Sequence, residues 1–555
     1  MFSVADWSVV AVYLAAMLAI GLHSARRQKS TRDYFLGGRS LRWWTVGLSI
    51  VATETSALTF IGVPAMAFGT LHIGADGGFF TEGGSLRFMQ LVCGYVIARL
   101  VVAAIMVPHY FKGDVYTPYQ LLRRGFGRGP STLAASFSLF SMCLQAGVRV
   151  YVSAIPVSIV MRTVFPSWGI WPSIVLFTLA ALVYATAGGI RAVVLTDMAQ
   201  FFLIFFGGLF ALFFIPTLLQ GPLAAPSGAS GWGAIFELGR QKLEFFHWGV
   251  VARAPDQSLV AWLSASIAEL MGGAFNIWMG LIGATVGVMA SHGADQLNVQ
   301  RVLACRDVRE GRRALLLSAA IIAPQMLIFL LIGVALFVFY TANGFDFGGI
   351  DPWDTVSVVA GAPKADYVFP IFIVTQLPSI IRGLLFAGVL AAAVSSLTSA
   401  LTAISSVAIM DLWRPHFKRK SSDAADTDAE LRYSRWGTVI AGGVLIAVAW
   451  WAKDAPLIFN FVFQFTGIVT GAKLGSLLFA QHKRGGDAAP LLWGMGGSAA
   501  VMAAIVTLAR RKLLKIRWPW YAAIGTGICL LVARLLWRAP RSDVTRAIDV
   551  PADDE

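Results

Sequence analysis

The sequence predicts an all-α polytopic membrane protein. Of its 555 residues, 57% are hydrophobic and only 13% are charged, and the mean hydropathy is +0.70. In soluble domains about a quarter of all residues are charged. A helix crosses a bilayer with about 20 apolar residues, and runs of that kind recur about thirteen times along this chain. Little sequence remains between them for a soluble catalytic domain.

The predicted spans follow one another closely. Larger polar interruptions occur at 221–262 and 341–377, and the polar sequence KRKSSDAADTDAE at 418–430 is expected to be a flexible linker. The apolar runs lie near 7–23, 43–69, 85–109, 131–164, 168–188, 190–220, 265–293, 313–340, 378–411, 432–451, 456–480, 489–508 and 518–538.

The basic residues predict an orientation. The net charge is +14, and Lys and Arg cluster at 26–42, 112–128, 301–312 and 414–420. These loops share one side if the spans alternate, so the positive-inside rule places them in the cytoplasm. The N-terminus is then outside a cell (inner) membrane and the C-terminus inside. This distribution favours a lipid bilayer and not nucleic acid as the partner, although the basic loop at 510–517 falls on the opposite side as an exception.

The run at 43–69 carries the strongest functional signal. It contains LSIVATETSALTFIGVPA at 48–65, where Gly62 and Pro64 are expected to interrupt the helix. A carboxylate in hydrocarbon costs at least about 2.5 kcal/mol and usually marks an ion or solute path. A polar, broken helix at membrane depth is typical of a transporter site. The polar residues are Thr53, Glu54, Thr55, Ser56 and Thr59.

A second glycine-rich run, 265–293, lies five spans later and contains Asn276. Paired interrupted helices at this spacing are typical of inverted-repeat transporters. The alternative is that these glycines only let helices approach closely.

The sequence GVLAAAVSSLTSALTAIS at 388–405 predicts a cation site. Ala392, Ser395 and Ser396 share one helical face. Hydroxyl and backbone carbonyl oxygens are ligands that a hard cation such as Na⁺ accepts. The alternative is an ordinary small-residue packing face.

Together these motifs resemble the sodium:solute symporter family, which includes the sodium/galactose, sodium/proline and sodium/sialic acid symporters. The matching segments are DYFLGGRSLRWWTVGLS (33–49), ATETSALTFIG (52–62), TAGGIRAVVLTDMAQ (186–200), ADQLNVQRVLA (294–304) and AAAVSSLTSALTAISSVAIMDLW (391–413).

The resemblance implies a leucine-transporter-like fold, a five-plus-five inverted repeat with one extra N-terminal helix and two C-terminal helices. The implied divisions are a leading helix and cytoplasmic loop (1–42), the first repeat (43–220), an extracellular segment (221–264), the second repeat (265–480), the C-terminal helices (481–540) and a disordered tail (541–555).

The resemblance also implies site residues. A sodium site would use the carbonyls of Ala52, Thr55 and Ala392 and the hydroxyls of Ser395 and Ser396. Asp197 corresponds to an acid on the ion-exit path, although a helix N-terminal acid is the alternative.

The solute is expected to be small and polar. Sugar-transporting relatives have Gln near the position of Thr59 and Asn near that of Val288, which weakens a galactose-like specificity. Arg149 corresponds instead to an Arg that holds a carboxylate in the sialic-acid branch, and Arg suits bidentate capture. The alternatives are that Arg149 pairs with Glu54, Asp197 or Glu269, or that it snorkels to an interface. Arg99 and Lys473 are interpreted as structural. The expected solute-binding residues are Thr53, Glu54, Ser56, Thr59, Arg149 and Asn276.

We therefore predict a Na⁺-coupled symporter that imports a small polar solute, with a carboxylate-bearing solute as one option. A proton-coupled carrier that uses Glu54 and a transporter-like membrane sensor are the alternatives. An enzyme is not expected, because the chain contains no HExxH motif or nucleophile elbow.

Overall fold

Helices form nearly all of the regular structure in the computed structural model. It describes residues 2–25, 37–55, 57–73, 79–112, 117–185, 190–221, 225–346, 365–413, 424–453, 458–483 and 486–538. The single hairpin within these ranges pairs β1 (Thr70–Ile73) with β2 (Phe79–Glu82) in antiparallel register, Thr70 opposite Glu82.

The helices follow the apolar runs. The first group is α1 (Val4–Ala25), α2 (Trp43–Glu54), α3 (Ala57–Phe68), α4 (Leu86–Tyr110), α5 (Tyr119–Phe126), α6 (Arg128–Val164), α7 (Ile170–Ala185), α8 (Ile190–Leu218) and α9 (Trp232–Leu238). The second group is α10 (Leu259–Gly272), α11 (Thr285–Gly293), α12 (Gln296–Leu303), α13 (Val308–Ala342), α14 (Val368–Gln376), α15 (Ile381–Val407), α16 (Ala424–Ala452), α17 (Ile458–His482), α18 (Ala489–Arg510) and α19 (Pro519–Leu536).

Many of these helices can cross a bilayer. Within the described residues eight are long and apolar enough, or nine if the bent pair α2 and α3 forms one span. The prediction of a mostly helical, multi-span protein is therefore confirmed, whereas the count of about thirteen spans remains a prediction. Shorter apolar helices occupy four further predicted runs, over Val4–Met17, Ile170–Leu182, Leu259–Gly272 and Trp436–Ala452.

The span at 43–69 is broken, but earlier than the sequence suggested. Helix α2 ends at Glu54, and the segments Trp43–Glu54 and Thr59–Phe68 are inclined by 52°. The expected interruption at Gly62 and Pro64 is wrong, because Pro64 lies inside α3. At the break the Thr55 hydroxyl donates to the carbonyl of Val51 at 2.9 Å, a local bond that competes with helix continuation.

The run at 265–293 is also interrupted. Helix α10 ends at Gly272, and the chain resumes with a π-helical turn over Met279–Ala284 that leads into α11. Gly280 allows this turn to lie against α4, since a Cβ atom there would collide with the carbonyl of Gln90. Small residues at such crossings are common in membrane bundles.

Packing brings the interrupted helices to the centre. Helix α2 contacts α8, α13 and α15, and α6 contacts α15, α16 and α17. The last two helices, α18 and α19, pack on each other and on α17. The broken span is thus surrounded by α8 and α15, which carry the acidic and serine motifs singled out in the sequence.

Candidate functional site

Asp197 of α8 connects the broken span to the serine-bearing helix α15. The hydroxyl of Ser49 donates to its Oδ2 at 2.6 Å, and the hydroxyl of Ser395 donates to its Oδ1. All three residues are buried. One carboxylate therefore accepts hydrogen bonds from α2 and α15 at once.

Arg301 of α12 supplies the counter-charge. Its Nη2 donates to Asp197 Oδ2 at 3.1 Å and to the Ser399 hydroxyl at 3.2 Å, while its Nε donates to Ser49 at 3.1 Å. Asp197 lies two turns inside α8, so the alternative of an acid at a helix N-terminus does not describe its position. The buried charge is paired, as buried charges generally are.

The oxygens around the break suit a sodium ion. Ser395 and Ser396 are 1% and 4% exposed, and α15 contacts α2 directly. Because Ser395 donates its proton to Asp197, its oxygen lone pairs stay available to a cation. At the end of α2 the Thr55 amide donates to the carbonyl of Val51, and the last carbonyls of a helix in general have no intrahelical donor. This set of neutral oxygens fits a hard cation of low charge.

A cavity of about 170 Å³, here called the small cavity, lies beside the break. It brings together four of the predicted solute-binding residues, Thr53, Glu54, Thr59 and Arg149. Val288, which stands where sugar-transporting relatives have Asn, also lines it. Ser56 lies outside the described residues.

Glu54, which lines the small cavity, is paired with Arg99 and lies next to His292. Arg99 of α4 donates to its Oε2, and the Nε2 atom of His292 lies 3.4 Å from its Oε1. Arg99 is fully buried and also donates to the Ser318 hydroxyl at 3.1 Å and to the Tyr95 carbonyl at 2.8 Å. Arg99 therefore connects the end of α2 to α4 and α13, in keeping with the structural role expected of it.

Arg149 of α6 differs from Arg99. Among the described residues no carboxylate oxygen lies within 4 Å of its guanidinium: Glu54 pairs with Arg99, Asp197 pairs with Arg301, and Asp295 lies within ion-pair range of Lys473. Its Nε is buried and has no hydrogen-bond partner. The structure therefore does not show the ion pair that was the alternative role for Arg149, and its guanidinium lines the small cavity.

Asn276 lies outside the small cavity. Its amide donates to the carbonyls of Leu270 and Ala274, and its Oδ1 accepts from the amide of Met279 at 3.0 Å. It joins the two sides of the interruption between α10 and α11 and is not among the residues that line the small cavity.

Sequence reasoning missed several polar residues of the small cavity. Two of its walls come from α6 and α17, where polar side chains recur every three or four residues on one helical face. That spacing was visible in the apolar runs at 131–164 and 456–480. The missed residues include Gln145, Asp295, Asn298, Thr466, Thr470 and Lys473.

A larger cavity of about 660 Å³ adjoins the small one, and Trp518 lines both. The ring of Trp518 stacks on Phe463 with centroids 4.5 Å apart and lies edge-on to Phe275. Lys242 borders the larger cavity, where it donates to the carbonyls of Phe68 at 2.7 Å and Gly83 at 2.6 Å. Burial lowers the pKa of Lys242 to about 8, because the charged ammonium is removed from water.

A bundle of membrane helices with a broken helix next to a polar, charged cavity defines a secondary transporter. Comparison of the sequence with known families agrees: the model of the sodium:solute symporter family matches residues 34–495. The chain belongs to the sodium:solute symporter family, a family of transporters and not of enzymes. The predicted membership and Na⁺ as the coupling ion are confirmed.

The chain is similar to several characterised relatives. It is 26% identical to the sodium/sialic acid symporter SiaT of Proteus mirabilis, over 95% of this chain and 93% of that protein. It is 24% identical to the sodium/sialic acid symporter NanT of Aliivibrio fischeri, over 96% and 93%. The sodium/glucose cotransporter of Vibrio parahaemolyticus is 26% identical over 85% and 80%.

Solved structures give the fold. A Na⁺-coupled sialic acid symporter in a substrate-bound, outward-open state superposes with a TM-score of 0.74 at 23% identity, over 98% of this chain and all of that one. A nucleobase-cation-symport-1 family transporter in a closed conformation superposes with a TM-score of 0.52 at 13% identity, over 90% and 92%. The protein therefore has the fold of sodium-coupled symporters.

Proposed function

We propose that this protein imports a carboxylate-bearing, hydroxylated solute such as a sialic acid, together with Na⁺, by alternating access. The similarity to two sodium/sialic acid symporters supports this class of solute. The observation that carries the proposal is Arg149, an arginine in the small cavity with no carboxylate within 4 Å among the described residues. A guanidinium that lines a cavity and has no carboxylate in contact offers charged hydrogen-bond donors to an anionic ligand.

In this proposal Na⁺ binds between the broken span and α15. The carbonyls of Ala52, Thr55 and Ala392 and the hydroxyls of Ser395 and Ser396 would hold it. Burial of the two serines and the hydrogen bond from Ser395 to Asp197 support the assignment. Asp197 and Arg301 would accompany the ion on its exit path, with Asp197 polarising the Ser395 hydroxyl.

The solute would bind in the small cavity. Arg149 would take the carboxylate, while Thr53 and Thr59 would offer hydroxyl oxygens beside the break. Both threonines donate to backbone carbonyls, of Ser49 and Glu54 respectively, and so present lone pairs to the cavity. Arg99 neutralises the charge of Glu54, so Glu54 would influence solute binding by fixing the position of the end of α2. Asn276 and Ser56 remain expectations from the sequence only.

Coupling follows from the shared helix. Na⁺ bound at Thr55 would hold the end of α2 against α15, and that same end carries Thr53 and Glu54 into the small cavity. Sodium would therefore order the solute site before the solute arrives. The membrane potential contributes about 2.3 kcal/mol per 100 mV for each charge that moves inward.

The detailed topology is also part of the proposal. The repeats would be 43–220 and 265–480, with about thirteen spans, an outside N-terminus and a cytoplasmic C-terminus. The interruptions after Glu54 and after Gly272 support a repeat, because each falls in the first helix of its half.

The test is sodium-driven uptake of labelled sialic acid into proteoliposomes. We expect Arg149→Gln to reduce uptake by about a hundredfold, since removal of a charged hydrogen-bond partner costs about 2–3 kcal/mol. Arg162→Gln is the matched control, because Arg162 lies on the same helix and donates to the Trp168 carbonyl at 2.7 Å. Normal uptake by Arg149→Gln would show that Arg149 does not bind the solute.

A further inference from the structure

Lys473 of α17 is a second cation of the small cavity. It is 2% exposed, and its Nζ donates to the hydroxyl of Ser141 at 2.7 Å. The Oδ2 atom of Asp295 lies 3.8 Å away, which is within ion-pair range but too long for a hydrogen bond. An ammonium has three donors, and among the described residues only Ser141 accepts one of them. Lys473 thus retains donors for a ligand.

Two residues at the start of α12 bring acceptors to the same cavity. Asp295 begins that helix: its Oδ1 accepts from the amide of Leu297 at 3.1 Å, while its Oδ2 lies towards Lys473. Asn298 donates to the carbonyl of Ser291 at 2.9 Å, but its Oδ1 is buried and has no partner. Asn298 and Asp295 are each 7% exposed, and both line the small cavity.

A buried polar atom without a partner is costly, so a ligand that completes its hydrogen bonds gains affinity. Here Lys473 adds donors, and Asp295 and Asn298 add acceptors, to the wall of one cavity. A hydroxyl group donates and accepts at the same time and satisfies such a set, whereas a methylene group satisfies none of it. An aliphatic acid would leave these atoms unpaired.

We propose that Lys473, Asp295 and Asn298 form the part of the solute site that binds hydroxyl groups. Lys473 gives the site its selectivity for hydroxylated carboxylates over plain aliphatic ones. This inference rests on the proposed function, in which Arg149 binds the carboxylate. It gives Lys473 a role in specificity in place of the structural role that its position in an apolar run suggested.

The experiment compares gluconate, which carries a hydroxyl on each carbon beyond its carboxylate, with hexanoate, which has the same chain without hydroxyls. Binding is measured on the purified full chain, in detergent with saturating Na⁺, as a ligand-dependent rise in melting temperature. We expect the wild type to bind gluconate at least about tenfold more tightly than hexanoate, because sites built for hydroxyls reject analogues that lack them.

The test variant is the pair Lys473→Met with Asp295→Asn, which removes both charges so that neither is left buried alone. We expect its preference for gluconate over hexanoate to fall by about tenfold, while its affinity for hexanoate is unchanged. Asn298→Ala should lose part of the preference. Lys453→Met is the matched control, since Lys453 lies over the ring of Trp450 and not in the small cavity. A sodium-dependent melting shift in each variant shows that it is folded.

The outcomes separate the two proposals. If the double variant keeps the preference while Arg149→Gln abolishes binding of both acids, the hydroxyl site is wrong and the proposed function stands. If Arg149→Gln binds both acids normally, the carboxylate site and with it the proposed function is wrong. Absence of sodium-dependent binding of both acids to the wild type would overturn both.

Discussion

At the scale of residues, the role of each arginine near the site depends on whether it is paired with an acid. Two buried arginines are committed to acids: Arg99 to Glu54 and Arg301 to Asp197. Arg149 has no such partner within 4 Å among the described residues. In the proposed function, charge pairing therefore distinguishes Arg149, the arginine assigned to the ligand, from Arg99 and Arg301, which are paired with acids.

Ser396 provides the clearest residue-level prediction. Ser395 donates to Asp197, so removal of its hydroxyl would disturb both the proposed sodium site and this hydrogen bond. Ser396 has no hydrogen bond to that acid. We expect Ser396→Ala to weaken the apparent sodium affinity by about tenfold, equivalent to about 1.4 kcal/mol for one lost ligand oxygen. The double change of Ser395 and Ser396 to Ala should abolish sodium-dependent uptake.

The measurement is the sodium dependence of uptake at constant solute concentration. Thr402→Ala is the control, because it removes a hydroxyl from the same helix that bonds only to the carbonyl of Thr398. Unchanged sodium dependence in the double serine variant would refute the site.

At the scale of elements, α2 is held at its broken end from two sides. Arg99 joins Glu54 to α4 and α13, and Asp197 joins Ser49 to α8 and α15. The helix therefore stops in a defined place although its backbone is interrupted there. Buried ion pairs of this kind specify a position more than they add stability.

The pair of Arg99 and Glu54 gives a stability prediction. Arg99→Met would leave the Glu54 carboxylate without its guanidinium partner, and breaking a buried pair costs about 3–5 kcal/mol. The pair of Arg87 and Glu244 is the control: it lies 2.5 Å apart with Glu244 half exposed, so Glu244→Gln should cost at most about 1 kcal/mol. Unfolding of both variants in detergent is compared with the wild type. Equal losses in the two variants would contradict the buried pairing.

Much of this arrangement was accessible from sequence. The apolar runs located the helices because hydrocarbon thickness sets their length. Polar residues in the run at 43–69 located the broken span. The position of the break was missed, because Pro64 is the stronger local signal, whereas the contact of Thr55 with Gln325 of α13 exists only in the folded protein.

The partners of buried charges could not be predicted. Glu54 and Arg99 are 45 residues apart, and Asp197 and Arg301 are 104 apart. Only the packed bundle brings such residues together, and the same holds for the polar face of α17. Asn276 shows the converse, since a polar residue in a glycine-rich run serves the local backbone.

At the scale of the whole molecule, the proposed sodium and solute sites share α2. The carbonyls at its end are assigned to Na⁺, and Thr53 and Glu54 line the small cavity. Two ligands on one movable element are thermodynamically linked, and the linkage must be reciprocal.

This linkage can be measured on purified protein. We expect Na⁺ to tighten sialic acid binding by at least about fivefold, and sialic acid to tighten Na⁺ binding by the same factor. Titration calorimetry in both orders, with choline replacing Na⁺ as the control cation, gives the two factors. Sodium-independent binding of sialic acid would contradict coupling through α2.

Trp518 precedes the last helix, α19, and lines both cavities. Part of the wall that the two cavities share is thus supplied by a segment outside the ten helices assigned to the proposed repeats. A chain shortened after α17 would keep the proposed sodium ligands but lose this part of the wall. Shortened versions of the transporter should therefore retain α18 and α19.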